Sequence, residues 1–356
     1  VSYPIKVPYG VIFNISYGVT LTINGVFEAG LYRVFSGDGS VSFGSGSVVE
    51  VYPEWWGAVP DGVTDCTDAM NKAINLGMKV KLSKGTYLGN FVHSSGYLVM
   101  EGSGNDVTYL KSYTSDGYAF SERETTGSWK VHATFSNLTF IGDSASRNGF
   151  VFGDPSTYTT NIEFAGRCEF NKVVFRCCNK GFYKPYGNIG NTFYKCNFDH
   201  NNFGYYAVSS PVNIMHAGCD TFYDGEIDSN ALAGVYIDSI TDGTGGTVFH
   251  NTIIEGNYGF GIFVYNYKAS YVALRLSNVW FEGNCTLSNV DINGVSYTPK
   301  DIYLRNVDYA IIENAPICAI EYNNAKVREI NCHYYQDSST ITNSTRICDY
   351  VSTNYA

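Results

Sequence analysis

Short runs of alternating apolar and polar residues recur through the middle of the chain, and such alternation predicts β-strands. Seven ten-residue words carry the pattern: "TFSNLTFIGD" (134–143), "EFNKVVFRCC" (169–178), "TFYKCNFDHN" (192–201), "TFYDGEIDSN" (221–230), "VFHNTIIEGN" (248–257), "RLSNVWFEGN" (275–284) and "YLRNVDYAII" (303–312). A large apolar residue holds the second place of each word, namely Phe135, Phe170, Phe193, Phe222, Phe249, Leu276 and Leu304. The gaps between these residues are 35, 23, 29, 27, 27 and 28, and a period near 28 indicates a solenoid.

Each word reads as a strand, a bend and a second strand, and a third strand often follows a glycine, as in "GFVFG", "GVYID" and "GIFVY". Three short strands per coil predict an all-β protein, a parallel β-helix. We expect β-rich lead-in or neck coils at 1–52, a cap with a short helix at 53–80, the main parallel β-helix at 81–315, and terminal coils or a C-terminal β segment at 316–356.

Two columns of residues follow from aligning the words. Asparagines share one place, at Asn201, Asn230, Asn257 and Asn284. Asparagine amides stack along a solenoid and tolerate left-handed turns, so we predict a structural ladder at a turn. Two places earlier, acids share an outward position at Asp199, Asp228, Glu255 and Glu282, with Glu226 on the same face as Asp228.

The acid column is the candidate catalytic feature. Parallel strands lie about 4.8 Å apart, so the carboxylates would crowd one another, and crowding raises the pKa of at least one of them. Glycoside hydrolysis needs a protonated acid beside an ionised one. We therefore predict that the catalytic residues come from Glu226, Asp228, Glu255 and Glu282. The alternatives are sugar binding without cleavage, solvated strand ends, and a cation site for an ion such as Ca²⁺.

Neighbouring outward positions fit a sugar-binding groove, because aromatic faces stack on sugar rings and polar groups hold hydroxyls. The predicted substrate-binding residues are Trp280, Tyr194, Tyr223, His250, Asp199 and Arg275. We expect no cofactor and no catalytic metal, while a structural Ca²⁺ stays open.

Composition narrows the class of protein. The net charge is −10, the pI is about 5.0 and no Lys/Arg run occurs, which argues against a nucleic-acid partner. No apolar run approaches the ~20 residues that span a bilayer, so we expect no membrane insertion. The ten cysteines lack zinc-site spacing. We expect reduced, mostly buried thiols and folding in a reducing compartment.

Residues 53 to 88 read "PEWWGAVPDGVTDCTDAMNKAINLGMKVKLSKGTYL". Asp65 or Thr67 can cap a short helix, and an apolar face over 69–74 fits a helix that covers the end of the solenoid. The stretch resembles the start of the pectate-lyase-like, right-handed parallel β-helix of tailed-phage tailspikes. The match is carried by Trp56-Gly57-Ala58, Asp61-Gly62, Thr64-Asp65, Thr67, Ala69 and Gly85-Thr86-Tyr87. Cys66 and Ser83-Lys84 depart from the family pattern.

The resemblance implies a homotrimeric virion protein of the phage tail, folded in the bacterial cytoplasm, that recognises a capsular polysaccharide or a lipopolysaccharide O-antigen. Many relatives cleave this polymer by carboxylate-mediated hydrolysis, and some by β-elimination. We therefore expect an endo-glycosidase, with a polysaccharide lyase or a non-catalytic receptor-binding spike as alternatives. The groove lies within one subunit or between subunits. An esterase is disfavoured, since no GxSxG word occurs.

Overall fold

The chain winds into successive coils of short parallel strands. The computed structural model describes residues 1–94, 96–123, 132–143, 146–153, 167–185, 190–208, 220–238, 241–242, 246–269, 272–335, 339–349 and 352–353. Its first six strands are β1 (Ile5–Val7), β2 (Phe13–Asn14), β3 (Thr20–Ile23), β4 (Phe27–Ala29), β5 (Phe35–Ser36) and β6 (Ser40–Phe43). They pair in parallel as β1 with β4, β2 with β5 and β3 with β6, which makes two three-strand lead-in coils.

The tailspike-like motif follows the lead-in coils. It contains a 3-10 turn (Pro53–Trp56), β7 (Asp61–Asp65) and the α-helix α1 (Thr67–Ile74). Asp65 Oδ1 accepts the Thr67 N–H at 2.9 Å, and the predicted apolar face of α1 is buried. Lys72 Nζ of α1 donates to the Gly37 carbonyl of the lead-in at 3.5 Å. The helix therefore contacts the lead-in coils on one side and the first full coil on the other, where Asn71 Oδ1 accepts the Val92 N–H at 3.0 Å.

The remaining strands continue the coils in one direction. In chain order they are β8 (Lys79–Lys81), β9 (Gly85–Leu88), β10 (Phe91–His93), β11 (Tyr97–Glu101), β12 (Thr108–Lys111), β13 (Tyr118–Glu122), β14 (His132–Ile141), β15 (Asn148–Phe152), β16 (Cys168–Arg176), β17 (Lys180–Lys184), β18 (Thr192–Tyr194), β19 (Asn197–Asp199), β20 (Phe203–Val208), β21 (Thr221–Tyr223), β22 (Glu226–Asp228), β23 (Ala233–Asp238), β24 (Thr241–Asp242), β25 (Thr247–His250), β26 (Ile253–Glu255), β27 (Phe260–Tyr265), β28 (Lys268–Ala269), β29 (Leu274–Ser277), β30 (Trp280–Glu282), β31 (Val290–Ile292), β32 (Val295–Tyr297), β33 (Ile302–Arg305), β34 (Ala310–Glu313), β35 (Pro316–Ile317), β36 (Ile320–Asn323), β37 (Lys326–Ile330), β38 (His333–Tyr334), β39 (Thr340–Thr342), β40 (Thr345–Asp349) and β41 (Ser352–Thr353).

Most coils contribute a first, a second and a third strand, and strands of one kind pair with their own kind in the next coil. First and second strands form an 18-stranded sheet, and third strands form a 10-stranded sheet that runs from β10 to β39. The third strands β15, β23 and β27 contain the glycine-led words that predicted them. The sequence prediction of an all-β, parallel β-helix is therefore confirmed.

The core is built from columns of large apolar side chains, one from each coil. Phe170, Phe193, Phe222 and Phe249 stack almost parallel in the first-strand column, with ring centroids 4.9, 4.5 and 4.3 Å apart. Offset aromatic pairs contribute about 0.5–1.5 kcal/mol each beyond the area they bury. In-register stacking of identical rings therefore helps to fix which strand residues lie opposite each other.

The seventh word was wrongly aligned. Leu304 pairs with Val264 in the third-strand sheet, whereas the first-strand partner of Leu276 is Ile312. The reason is an insertion: β31 and β32 form an antiparallel hairpin between the second and third strands of that coil. The hairpin makes this coil longer than the 28-residue period, so the alignment by period fails there. It also covers part of the outer face of the third-strand sheet.

The cysteines that the structure describes are nine thiols without a disulfide, and five of them are buried. Burial raises the pKa of the Cys196 thiol to about 12, so this side chain behaves as a small apolar group. None of the helices in the described ranges has the length and apolar composition needed to cross a membrane.

Candidate active site

The predicted acid column exists with the predicted register. Asp199 pairs with Asp228, Asp228 with Glu255, and Glu255 with Glu282, each at the last position of its second strand, β19, β22, β26 and β30. The next residue in every coil is left-handed, and these residues are His200, Ser229, Gly256 and Gly283, with φ between 54° and 61°. The chain turns sharply there, so the carboxylates stand in a line at one edge of the second-strand sheet.

The asparagine ladder lies directly behind this line and confirms the structural role we predicted. Asn201 Nδ2 donates to Asn230 Oδ1 at 3.0 Å, Asn230 to Asn257 at 2.9 Å and Asn257 to Asn284 at 2.8 Å. Each side chain also donates to a strand carbonyl of the preceding coil, as Asn257 does to Ile227 at 3.0 Å. The ladder satisfies buried backbone groups at the turn and holds the acid column at a fixed spacing.

At one end of the column, which we call the closed end, the carboxylate is neutralised. Asp199 is only 4% exposed, and Arg176 donates to both of its oxygens, each at 2.7 Å. Arg176 also donates to Asp106 Oδ1 at 2.9 Å. Asp199 was predicted to bind substrate, but the structure buries it in a bidentate ion pair, so it is not presented to a ligand.

The open end comprises Asp228, Glu255 and Glu282. These residues line a depression of about 250 Å³ together with Ser229, Gly256 and Gly283. Glycine at 256 and 283 leaves no side chain above the left-handed turn, whereas the closed end carries His200 at the same place. Backbone and carboxylates are therefore both accessible to a ligand at the open end.

Two carboxyl groups near the open end have raised pKa values. Desolvation is the largest cause of the raised pKa of Glu226, followed by the charges of Asp228 and Glu255, and Glu226 also hydrogen-bonds to Glu255 through its carboxyl group. Desolvation likewise raises the pKa of Asp228, with Asp199 and Glu255 adding to it, while a hydrogen bond from Ser229 opposes the rise. The site therefore contains carboxyls that retain protons more readily than ordinary ones.

Trp280 is oriented by the column itself. Its ring is 47% exposed, and its Nε1–H donates to Glu282 Oε2 at 3.0 Å. Because Trp280 pairs with Ile253, which follows Glu226 in the same column, the indole lies on the outward face beside the acids. An exposed indole fixed next to a carboxylate is a suitable platform for a sugar ring.

The other predicted binding residues occupy the first-strand face. Tyr194 pairs with Tyr223 and Tyr223 with His250, as the words predicted. Tyr194 and Tyr223 are 40% and 39% exposed, and the Tyr223 and His250 rings stack with centroids 5.2 Å apart. They form an exposed aromatic column on the first strands. A bend separates this column from the acids on the second strands, because Asp224, between β21 and β22, has a left-handed backbone.

The arginines near the site are already paired. Arg275 Nη2 contacts Glu313 Oε1 at 3.0 Å, and Arg176 is committed to Asp199. Arg305 lies on the third strand β33 over the Tyr265 ring, away from the acid column. Of the described residues, no group of three or more His, Cys, Asp or Glu side chains is arranged to hold a metal ion.

Sequence reasoning missed two features of the site. The first is the Arg176–Asp199 ion pair. Arg176 holds the same column position as Asp199 on the preceding coil, so the aligned segments already placed a cation next to this acid. A second, exposed asparagine ladder lies at the bend between first and second strands, where Asn278 donates to Asn251 at 3.1 Å and Asn314 to Asn278 at 2.8 Å. Asparagine suits that bend because its φ is positive there.

Comparison with known proteins identifies the fold. No protein-family model and no curated protein matches the chain. Among solved structures, the catalytic domain of Agl-KA matches with a TM-score of 0.52 at 14% identity, over 86% of this chain and 67% of that one. The ORF18 protein of Geobacillus virus E2 matches with a TM-score of 0.50 at 14% identity, over 86% of this chain and 61% of that one. The Dettilon tailspike protein gp208 has a TM-score of 0.48 at 14% identity, over 82% of this chain and 62% of that one.

The matches to the Agl-KA domain and to the Geobacillus virus protein show a right-handed parallel β-helix, the fold that the N-terminal resemblance implied. The chain spans about three fifths of the length of the Geobacillus virus protein. At this level of identity the shared fold does not assign the chemistry of the acid column, which depends on the residues themselves.

Proposed function

We propose that the protein is a phage tailspike that binds a bacterial surface polysaccharide, a capsule or an O-antigen, and cleaves it by endo-glycosidic hydrolysis at the open end of the acid column. The single observation that carries this proposal is the open row of Asp228, Glu255 and Glu282, which line one depression beside the exposed Trp280. The tailspike-like motif at 53–88 and the β-helix fold support the cellular context.

The residues divide the work of hydrolysis between them. Asp228, whose pKa is raised, protonates the oxygen of the leaving group. Glu255 on the next rung attacks the anomeric carbon as the glycosidic bond breaks, and Glu226 hydrogen-bonds to Glu255 through its carboxyl group. Asp228, which has given up its proton, then takes a proton from a water molecule, and this water displaces Glu255 from the sugar and restores both carboxyl groups. Adjacent rungs are about 4.8 Å apart, close to the ~5 Å separation of retaining glycosidases. Glu282 and Trp280 hold the sugar.

Hydrolysis fits the site better than β-elimination. A lyase acting on a uronic acid needs a cation to neutralise the substrate carboxylate, but Arg275 and Arg176 are occupied by Glu313 and Asp199. A row of carboxylates also repels an acidic polymer. The favoured substrate is therefore a polysaccharide without charge at the cleaved bond.

The test is incubation of the protein with purified capsular and O-antigen glycans, followed by analysis of product size and end groups. New reducing ends with retained anomeric configuration support the mechanism, and unsaturated ends indicate elimination. Asp228→Asn and Glu255→Gln should abolish shortening of a cleaved polymer. The matched control is Glu321→Gln, an acid on the third-strand sheet that should leave cleavage unchanged. Binding without shortening would reduce the protein to a receptor-binding spike.

A homotrimer is part of the same proposal and is measured by light scattering of the purified protein. If the groove pairs the acid of one subunit with the nucleophile of another, mixing Asp228→Asn and Glu255→Gln chains during refolding restores some cleavage and overturns the adjacent-rung pair. If it lies within one subunit, the mixture stays inactive.

A further inference from the structure

A second pocket lies where the lead-in coils meet the first full coil, on residues separate from the acid column. Its volume is about 410 Å³. Leu31, Tyr32 and Arg33 line it from the lead-in side, and Glu54, the turn 57–60 and Ser83 line it from the other side. The volume falls in the range of small-molecule sites.

Glu54 lines this pocket and has a buried carboxylate oxygen without a hydrogen-bond partner among the described residues. Its side chain is buried, with 4% exposure. Ser83 Oγ and Tyr87 OH donate to Oε1 at 2.5 and 2.6 Å. Oε2 has no hydrogen-bond partner within the described part of the chain. A buried carboxylate oxygen without a donor is costly, so the pocket is suited to an occupant that donates a hydrogen bond.

The opposite wall offers donors and apolar surface. Arg33 is exposed, its Nε–H donates to the Phe35 carbonyl at 3.2 Å, and it forms no ion pair with another described residue. Leu31 and Val59 are 55% and 45% exposed at the rim. Tyr32 OH donates to the Val7 carbonyl at 2.5 Å, which leaves the ring as a fixed wall.

Arg33 and Glu54 border the same pocket but do not pair with each other. A cationic side chain entering the pocket would be repelled by Arg33, and a small anion would be repelled by Glu54. A polyol satisfies both, since each hydroxyl donates to one group and accepts from another, and its C–H faces pack on apolar walls.

We propose that this pocket binds one sugar residue of a neutral glycan, as a second glycan site apart from the acid column. The inference rests on the proposed function only in that the protein encounters a polysaccharide. Ser83, which departs from the pattern of the family that the motif resembles, contributes here by donating a hydrogen bond to Glu54 Oε1.

The test is saturation-transfer NMR on the full chain carrying Trp280→Ala, which removes the sugar platform beside the acid column. The three probes are the methyl glycosides of glucose, galactose and N-acetylglucosamine. At least one probe should receive saturation, and Glu54→Gln and Arg33→Met should each weaken the signal at least fivefold. Val59→Trp blocks the rim of the pocket and leaves the Glu54 contacts in place. It should also weaken the signal, and it replaces Glu54→Gln as the test if that variant does not fold. Val49→Trp, at an 87% exposed position outside the pocket, is the matched control and should not change the signal.

The outcomes separate the two proposals. If none of the three probes receives saturation, the proposed second glycan site is wrong. It is also wrong if the signal persists in both Glu54→Gln and Val59→Trp. Neither result bears on the proposed cleavage of the polymer. If these variants remove the signal but the protein shortens no polymer, the second glycan site is supported and the proposed hydrolase activity is wrong. Asp228→Asn should leave the signal from this pocket unchanged.

Discussion

The closed and open ends of one acid column differ although the same turn builds both. At the closed end Asp199 is buried and held by Arg176, whereas at the open end Glu255 and Glu282 are followed by glycines and border a depression. A column of like residues in a solenoid therefore does not have one role. Position along the axis decides whether a carboxylate supports the fold or is available for chemistry.

The first and largest expected effect is on catalysis at the open end. Glu255→Gln should lower polymer hydrolysis about 10³-fold, since loss of a nucleophile or an acid–base group costs 10²–10⁴ in rate. Release of reducing ends measures the effect. Asp199→Asn at the closed end should keep most of the activity per folded molecule. Equal losses in the two variants would contradict the division of the column into two ends.

The second effect concerns stability at the closed end. Arg176→Met should lower the free energy of unfolding by about 3 kcal/mol, because it leaves the buried Asp199 carboxylate without its partner. Urea unfolding measures the change. Glu282→Gln, at an exposed position of the same column, should change it by less than about 0.5 kcal/mol. If both variants behave alike, the arginine is not what distinguishes the ends.

A third substitution tests the turn that both ends share. Asn257→Ala should destabilise the fold by about 2 kcal/mol, since it leaves the Ile227 carbonyl and the Asn230 amide without partners. The matched variant is Asn251→Gly in the exposed ladder, where glycine keeps the left-handed turn. Its expected cost in an unfolding titration is below about 0.5 kcal/mol. A larger cost there would mean that exposure does not separate the two ladders.

The smallest effect is a pH dependence. The folded-state pKa of Glu226 is raised, so this group's contribution to stability is present below the ordinary carboxyl pKa and is lost as the pH rises through the raised value. Glu226→Gln should therefore gain up to about 1 kcal/mol at neutral pH and nothing in acid. Melting temperatures of both proteins across that pH range measure it. A gain that persists in acid would exclude carboxylate crowding as its cause.

Much of the fold and of the open end could be predicted from the sequence. Alternation within the segment "RLSNVWFEGN" puts Val279 and Phe281 on one face of the strand and Trp280 and Glu282 on the other, and the structure buries the first two and exposes the last two. The spacing of 27 residues between Glu255 and Glu282 placed them on adjacent rungs. The segment 303–312 was assigned to the wrong strands, because an inserted hairpin changes the length of its coil without changing the local alternation of apolar and polar residues.

The N-terminal motif also has a local explanation. Asp61 accepts the backbone N–H groups of Val63 and Thr64 at 2.8 and 2.7 Å, which fixes the turn after the Gly57–Ala58 pair. Tyr87 reaches back to Glu54. The motif thus mainly stabilises the junction between the lead-in coils and the first full coil. It also forms walls of the second pocket. Its residues could be recognised in the sequence, but the free oxygen of Glu54 could not.

The sequence by itself determined the strands, their period and the residues that share a column, because side chains alternate along a strand and parallel coils must align their apolar residues. Only the tertiary structure decided which acids are neutralised. Arg176 joins Asp199 on the next coil and Asp106, which lies 70 residues earlier in the chain. Charge pairing depends on distances in space, and those distances are set by how the coils and their loops stack.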